Sequence, residues 1–307
     1  MHANMCLLRF ALLGALIAMA APVAAQQASQ EARRQLSDTC KRTIDEAMVK
    51  LHPGLIEYPE LKNKSNLVLL VPAADFNAFA NYESRQILIP VMWCIQTWFL
   101  VDAHAHLHKN PQLRELVNDY TEYLRQRQNQ SILSGPIDQI LLESFDKFAR
   151  VDALSSALPD DRKLLAVREG IMVDSLAFVL GHEIGHLALN HKRYTEVTSA
   201  QARKQEDMAD EFAAKLLGRT GISIIPSMFT LVRFLQSEAD IKGIPMTAKT
   251  HPRAECRMQR VLFSSGELDQ LLSDPARRRE FERGSTYSVP QFRRLMQELR
   301  VDCAGSP

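Results

Sequence analysis

The sequence predicts an α+β fold that is predominantly helical and carries one small β-sheet. Three observations predict it. In most segments from residue 26 onward, apolar residues recur at three- and four-residue steps, the period of helices with one buried face. Only two short apolar runs, Leu67–Val71 and Arg85–Val91, are bounded or interrupted by proline in the manner of strands. The composition, 46% hydrophobic and 24% charged over 307 residues, suits a globular chain with one sizeable core.

Residues 1–25 stand apart. Arg9 precedes the apolar run Phe10–Ala21, and Val23-Ala24-Ala25 is a small-residue cleavage site. About fifteen apolar residues suit a removed signal peptide better than a membrane span, so the sequence predicts export to a periplasm or beyond. The remaining 26–307 reads as a single domain, with a helical insertion at about 103–160 and a helical tail at about 264–307. The 37 basic residues fall to 36 once Arg9 leaves, against 36 acidic ones. A balanced charge gives no support for nucleic acid as a partner. In an oxidising compartment Cys40, Cys94, Cys256 and Cys303 allow two disulfides in three pairings; Cys40–Cys94 and Cys256–Cys303 are favoured, beside the reading of Cys94 as a buried thiol.

In order along the chain, residues 26–50 read as an amphipathic helix, with Leu36, Cys40, Ile44 and Met48 four apart. Pro53, Gly54 and Pro59 mark a loop. Leu67–Val71 is a strand ended by Pro72. Arg85–Val91 is a second, and Pro90 suits the end of an edge strand. A buried helix follows to Val101. His104 and His108 then share a helical face able to hold a second metal, but no third ligand stands at a fitting distance along the chain, and solvated histidines at a helix end are the favoured reading of His104, His106 and His108. Residues 111–128 and 136–150 read as helices, with Pro136 early in the second. Residues 158–161 cap the approach to the helix over 174–191. Pro226–Leu235 reads as a core helix, 240–253 as a loop, and 275–282 and 290–300 as helices with solvated basic faces.

The chemistry concentrates in His182-Glu183-Ile184-Gly185-His186. On a helix His182 and His186 sit one turn apart on one face, able to bind one zinc, with Glu183 beside them to take a proton from water. Gly181 and Gly185 would weaken an ordinary helix by about 1 kcal/mol each, which makes sense where other groups must come close. A second helix over 205–217 offers Met208, Phe212, Leu216 and Leu217 as its apolar side and Gly218 as its stop. Its face Glu206, Ala209, Asp210, Ala213 supplies Glu206 as third ligand, completing a His, His, Glu set, and Asp210 to accept the free N–H of a ligand imidazole. A metal-free helical scaffold of an export compartment would require both motif blocks to be coincidences.

His182-Glu-Ile-Gly-His186 followed by Glu206-x-x-Ala-Asp210 resembles the HtpX/CAAX-prenyl-protease type of gluzincin metallopeptidase, whose soluble periplasmic branch includes BepA-like proteases. His251-Pro252-Arg-Ala-Glu-Cys-Arg257 is similar to a third block of that family, and the resemblance covers about residues 67 to 262. It implies a zincin-like fold with one Zn2+ per chain on His182, His186 and Glu206, Glu183 as general base, and His251 steadying the oxyanion. Arg257 is expected to anchor its segment through an ion pair, with Asp210 as one candidate partner. It further implies an edge strand beside the cleft, for which 85–91 is the candidate. Its substrates would be unfolded or misassembled envelope proteins, with an envelope or outer-membrane assembly partner. Where that family has a Gly-rich turn after Asn77-Ala-Phe-Ala80, this chain has Asn81-Tyr-Glu-Ser-Arg85, so the cleft edge should be shaped differently. The alternative is a zinc-binding, chaperone-like module or latent pseudo-peptidase; Glu183 and a three-ligand set argue for turnover, since a structural zinc takes a fourth protein ligand.

Overall fold

A computed structural model describes residues 34–72, 78–134, 142–150, 162–225, 254–285 and 287–303. Residues 1–25, Pro136, 158–161, 226–235 and the 240–253 segment with His251 lie outside the described residues. Residues 34–51 are helical (α1), and a one-turn helix Pro59–Lys62 follows. Three strands form the sheet: β1 (Val68–Val71), β2 (Phe79–Asn81) and β3 (Gln86–Pro90). The other helices are α2 (Val91–Lys109), α3 (Arg114–Ser134), the short α4 (Phe145–Ala149), α5 (Arg162–Ala188), α6 (Ser199–Thr220), α7 (Ala254–Ser265), α8 (Glu267–Ser273), α9 (Pro275–Gly284) and α10 (Val289–Cys303). Among the described residues, no helix is long and apolar enough to cross a membrane.

The sheet corrects one expectation. Its order is β1-β3-β2, so residues 85–91 supply the central strand and not the edge. β3 pairs in parallel with β1, Val68 opposite Ile87, and antiparallel with β2, Ala80 opposite Ile87. Ile87 and Ile89 are fully buried, so one face of β3 lies in the core, while β1 and β2 take its two hydrogen-bonding edges. Pro90 is tolerated because it is the last residue of the strand, where β3 turns directly into α2. The β2–β3 turn closes without glycine. Asn81 Oδ1 accepts the backbone N–H groups of Glu83 and Ser84, and Arg85 takes the left-handed conformation (φ 50°). The Arg85 guanidinium then donates to Asn190 Oδ1 (3.0 Å) and to the Leu187 carbonyl (3.2 Å), tying the turn to the C-terminal end of α5.

α5 is the central element, packed against α6, α2, β2 and β3. From Met172 to Leu187 it is buried almost without break, which is why its apolar pattern runs round the helix. The 103–160 region has an apolar cluster of its own: Leu100, Ala103 and Leu107 on α2 meet Val117, Tyr120 and Leu124 on α3 and Phe145 on α4. The expected helix over 111–128 extends to Ser134, while only 145–149 of the expected 136–150 helix is helical among the described residues. Cys40, Cys94 and Cys256 are each disulfide-bonded, and the side chain of Cys303 lies outside the described residues.

Candidate metal centre

The centre lies where α5 and α6 come unusually close. A Cβ added at Gly185 would stand 3.1 Å from Phe212 Cβ and 3.2 Å from both Cα and O of Ala209; one at Gly181 would stand 3.3 Å from Ala213 Cβ. Ala209 and Ala213 are fully buried on the facing side. Two glycines facing two alanines let the backbones touch, and the helix propensity lost, about 1 kcal/mol per glycine, is offset by that packing. α6 is fixed at its start by a capping box, Thr198 with Gln201, and at its end by Gly221 in the left-handed region (φ 70°). Gly218 is inside the helix; the stop comes three residues later. Of the expected apolar side of α6, Leu216 and Leu217 are buried while Met208 is exposed, and Glu206, Ala209, Asp210 and Ala213 are buried as well. The small residues Ala209 and Ala213 stand where the helices approach most closely, with Leu217 and Phe212 packed beside them.

Glu206 lies one turn before Ala209, so this contact delivers it to the two histidines. His182 Nε2 and His186 Nε2 are 3.1 Å apart, and Glu206 reaches them with Oε2 at 3.4 Å and Oε1 at 3.1 Å. All three residues are buried, and each offers one ligand atom within 4.8 Å of the others. Two imidazole nitrogens and a buried carboxylate facing one point are a donor set for a cation. The local field agrees. Burial disfavours a charged His182, yet Glu206 and Asp210 outweigh it and push its pKa up to about 10, so the pocket favours positive charge where a metal would sit.

The rear of His182 is held firmly. Its Nδ1–H donates to Asp210 Oδ1 at 2.8 Å, and Asp210 receives a two-pronged bond from Arg257, Nε to Oδ2 and Nη2 to Oδ1, both 2.8 Å. Burial alone would raise the Asp210 pKa, but Arg257 beside it holds the carboxyl well below the usual range. Arg257 Nη1 also stands 3.3 Å from Glu206 Oε2. Glu183 is buried next to this cluster, and its carboxylate accepts the backbone N–H of Ala80. Burial raises its pKa and His182 and His186 lower it in part. Ala80 is free to point there because Ile87, opposite it, sends its own N–H to Leu67 across the other side of β3. The strand edge beside the centre is therefore β2.

Three residues at the centre were given no role from the sequence. Tyr194, in the short turn between α5 and α6, donates its hydroxyl to Glu206 Oε1. Tyr82 Oη stands 3.4 Å from His186 Nδ1. Burial and the nearby Glu183 and Glu206 raise both phenols, so both keep their protons. His191 Nδ1 lies 2.9 Å from His186 Nδ1. A sequence signal existed only for His191: Asn190, just past the last apolar residue of the helix, is the residue type that turns a helix end back on itself.

The second cluster does not form a metal site. Among the described residues, His182, His186 and Glu206 are the only His/Cys/Asp/Glu group placed to hold an ion. His106 is buried rather than solvated. It lies 3.9 Å from Asp102 and against the Phe145 ring, and Arg168 bonds Asp102 at 3.2 Å while stacking on Trp98. The α2–α5 packing covers this helix end, which the charge pattern alone did not reveal.

No curated protein and no solved structure matches this chain. Residues 151–269 match the family model of Peptidase U49, a span that contains both helices of the centre together with Arg257, and this supports a peptidase.

Proposed function

We propose that this protein is a zinc-dependent endopeptidase of the HtpX/CAAX-prenyl-protease (BepA-like) gluzincin type, acting on unfolded or misassembled proteins in the periplasm as part of envelope quality control. The observation that carries this reading is the convergence of His182 Nε2, His186 Nε2 and a Glu206 carboxylate oxygen on one point, with Glu183 on the same helical turn. His182, His186 and Glu206 would hold one zinc, which when bound supplies a Lewis acid for the scissile carbonyl and lowers the pKa of water. Glu183 takes the proton of the attacking water and delivers it to the leaving amine. Ala80 N–H, donated to the Glu183 carboxylate, holds that group toward the cluster. Asp210, locked by Arg257, keeps His182 in the tautomer whose Nε2 lone pair faces inward. His251 is assigned the oxyanion. An extended peptide would lie along the outer edge of β2 and pair with the Ala80 carbonyl while the Ala80 N–H stays with Glu183, recognising main chain rather than sequence.

The test is cleavage of unfolded casein by the mature chain beside Glu183→Gln, with zinc content read on both. Wild type should cleave and stop on chelation, while Glu183→Gln should keep its zinc and lose at least about 100-fold in rate. Near-normal proteolysis by Glu183→Gln would remove Glu183 from its role. Zinc in both proteins and cleavage by neither would favour a binding module.

A further inference from the structure

The two imidazoles of the centre are backed by different groups. Behind His182 stands Asp210, an anion paired with Arg257. Behind His186 stands another imidazole, with His191 Nδ1 at 2.9 Å from His186 Nδ1 and the rings 78° apart. Two neutral ring nitrogens at that distance bond only when one carries the proton and the other a lone pair. His186 turns Nε2 toward His182 and Glu206, so a lone pair at Nε2 puts its proton on Nδ1. His191 must then accept at Nδ1 and carry its own proton on Nε2, a buried nitrogen with no hydrogen-bond partner among the described residues.

The backbone brings His191 there. α5 ends in a double-bonded reversal: Asn190 N–H returns to the Leu187 carbonyl at 3.3 Å, and His191 N–H to the His186 carbonyl at 3.1 Å, around Asn190 in the left-handed region (φ 52°). The reversal seats the His191 ring against His186 with only 8% of the residue exposed. The other neighbour of His186 Nδ1, Tyr82 Oη, is at 3.4 Å, the long end for a hydrogen bond. A neutral acceptor also suits the charge. Glu183, Glu206 and Asp210 against Arg257 leave two negative charges, which one divalent cation balances; a carboxylate behind His186 would leave an excess.

We propose that His191 is a positioning residue of the metal centre, accepting the Nδ1–H of His186 and so selecting the tautomer that turns Nε2 to the metal. This rests on the metal-centre reading above. The test compares wild type, His191→Asn and His191→Phe. In Asn, Oδ1 takes the place of Nδ1 and still accepts; Phe fills the space and cannot. Zinc affinity is read by competition with a chromophoric chelator, and the cobalt-substituted proteins by their visible absorption. His191→Phe should bind zinc about 10–100-fold more weakly with an altered cobalt spectrum, and His191→Asn should stay within about threefold of wild type. Wild-type affinity in His191→Phe, or equal loss in both variants, overturns the proposal while leaving the metal centre standing. A wild type that binds no zinc overturns both. Should His191→Phe not fold, nitrogen-15 NMR of the zinc-loaded wild type decides: His191 protonated on Nε2 and His186 on Nδ1 is expected, and His191 protonated on Nδ1 overturns the proposal.

Discussion

Gly185→Ala tests whether the helix contact sets the metal centre. The new Cβ would sit 3.1 Å from Phe212 Cβ and 3.2 Å from the Cα and O of Ala209, where ordinary carbon contacts need about 3.5–4.0 Å. Two of these neighbours are backbone atoms, so relief requires α6 to retreat by a few tenths of an ångström. Metal–ligand distances tolerate only about 0.2 Å, and Glu206 rides on α6 one turn from the collision. Overpacking costs about 1–3 kcal/mol, against about 1 kcal/mol recovered in helix propensity. The net expectation is a protein destabilised by about 0–2 kcal/mol, with zinc affinity lowered by about 10-fold or more. Gly170→Ala, on the same helix with nothing within 4 Å of the added Cβ, is the control and should stabilise by about 0.5–1 kcal/mol. Urea denaturation of both variants and a chelator competition assay give the two readouts. If Gly185→Ala gains as much stability as Gly170→Ala and binds zinc like wild type, the close approach of α5 and α6 does not set the site.

Two further substitutions separate stability from chemistry. Asp174, on α5, has its pKa raised to about 6 by burial, with Lys50 lowering it in part and Glu267 raising it. A folded pKa above the unfolded one makes the native carboxylate unfavourable at neutral pH, so stability rises as pH falls from about 6 towards 4. Asp174→Asn should therefore be more stable than wild type by about 1–3 kcal/mol at pH 7.5, with the gap shrinking below about 1 kcal/mol at pH 4; urea midpoints at the two pH values measure it, and a pH-independent difference would refute it. Arg257→Met leaves Asp210 and Glu206 buried without their guanidinium, which should lower stability by about 3–5 kcal/mol. It should also weaken zinc binding by about 10–100-fold through the loosened Asp210–His182 bond. Calorimetry with chelator competition would show a variant as stable as wild type if the reading of Arg257 were wrong.

Local patterns in the chain were enough to place the two long helices and the residues His182, Glu183, His186, Glu206 and Asp210 on their inward faces, because helical spacing fixes which side chains share a face. The glycines beside the histidines already pointed to a close neighbour. Pairing of Arg257 with Asp210 was one of the expected options, since a buried carboxylate needs a cation. What depended on tertiary structure was everything set by contacts between distant segments. Strand order is one case: 85–91 reads as an edge strand by its proline, yet it is central because both Leu67 and the Phe79–Asn81 segment reach it from outside its own sequence. The exposure of Met208 on α6 is another, since the close approach at Gly185 places Ala209 in the contact and leaves Met208 outside it. Tyr82, Tyr194 and His191 come to the centre from loops and a helix end, where no periodicity announces direction. Their places follow from backbone reversals at Arg85 and Asn190, two non-glycine residues in the left-handed region, a conformation that single-residue preferences seldom reveal and that the folded surroundings must hold.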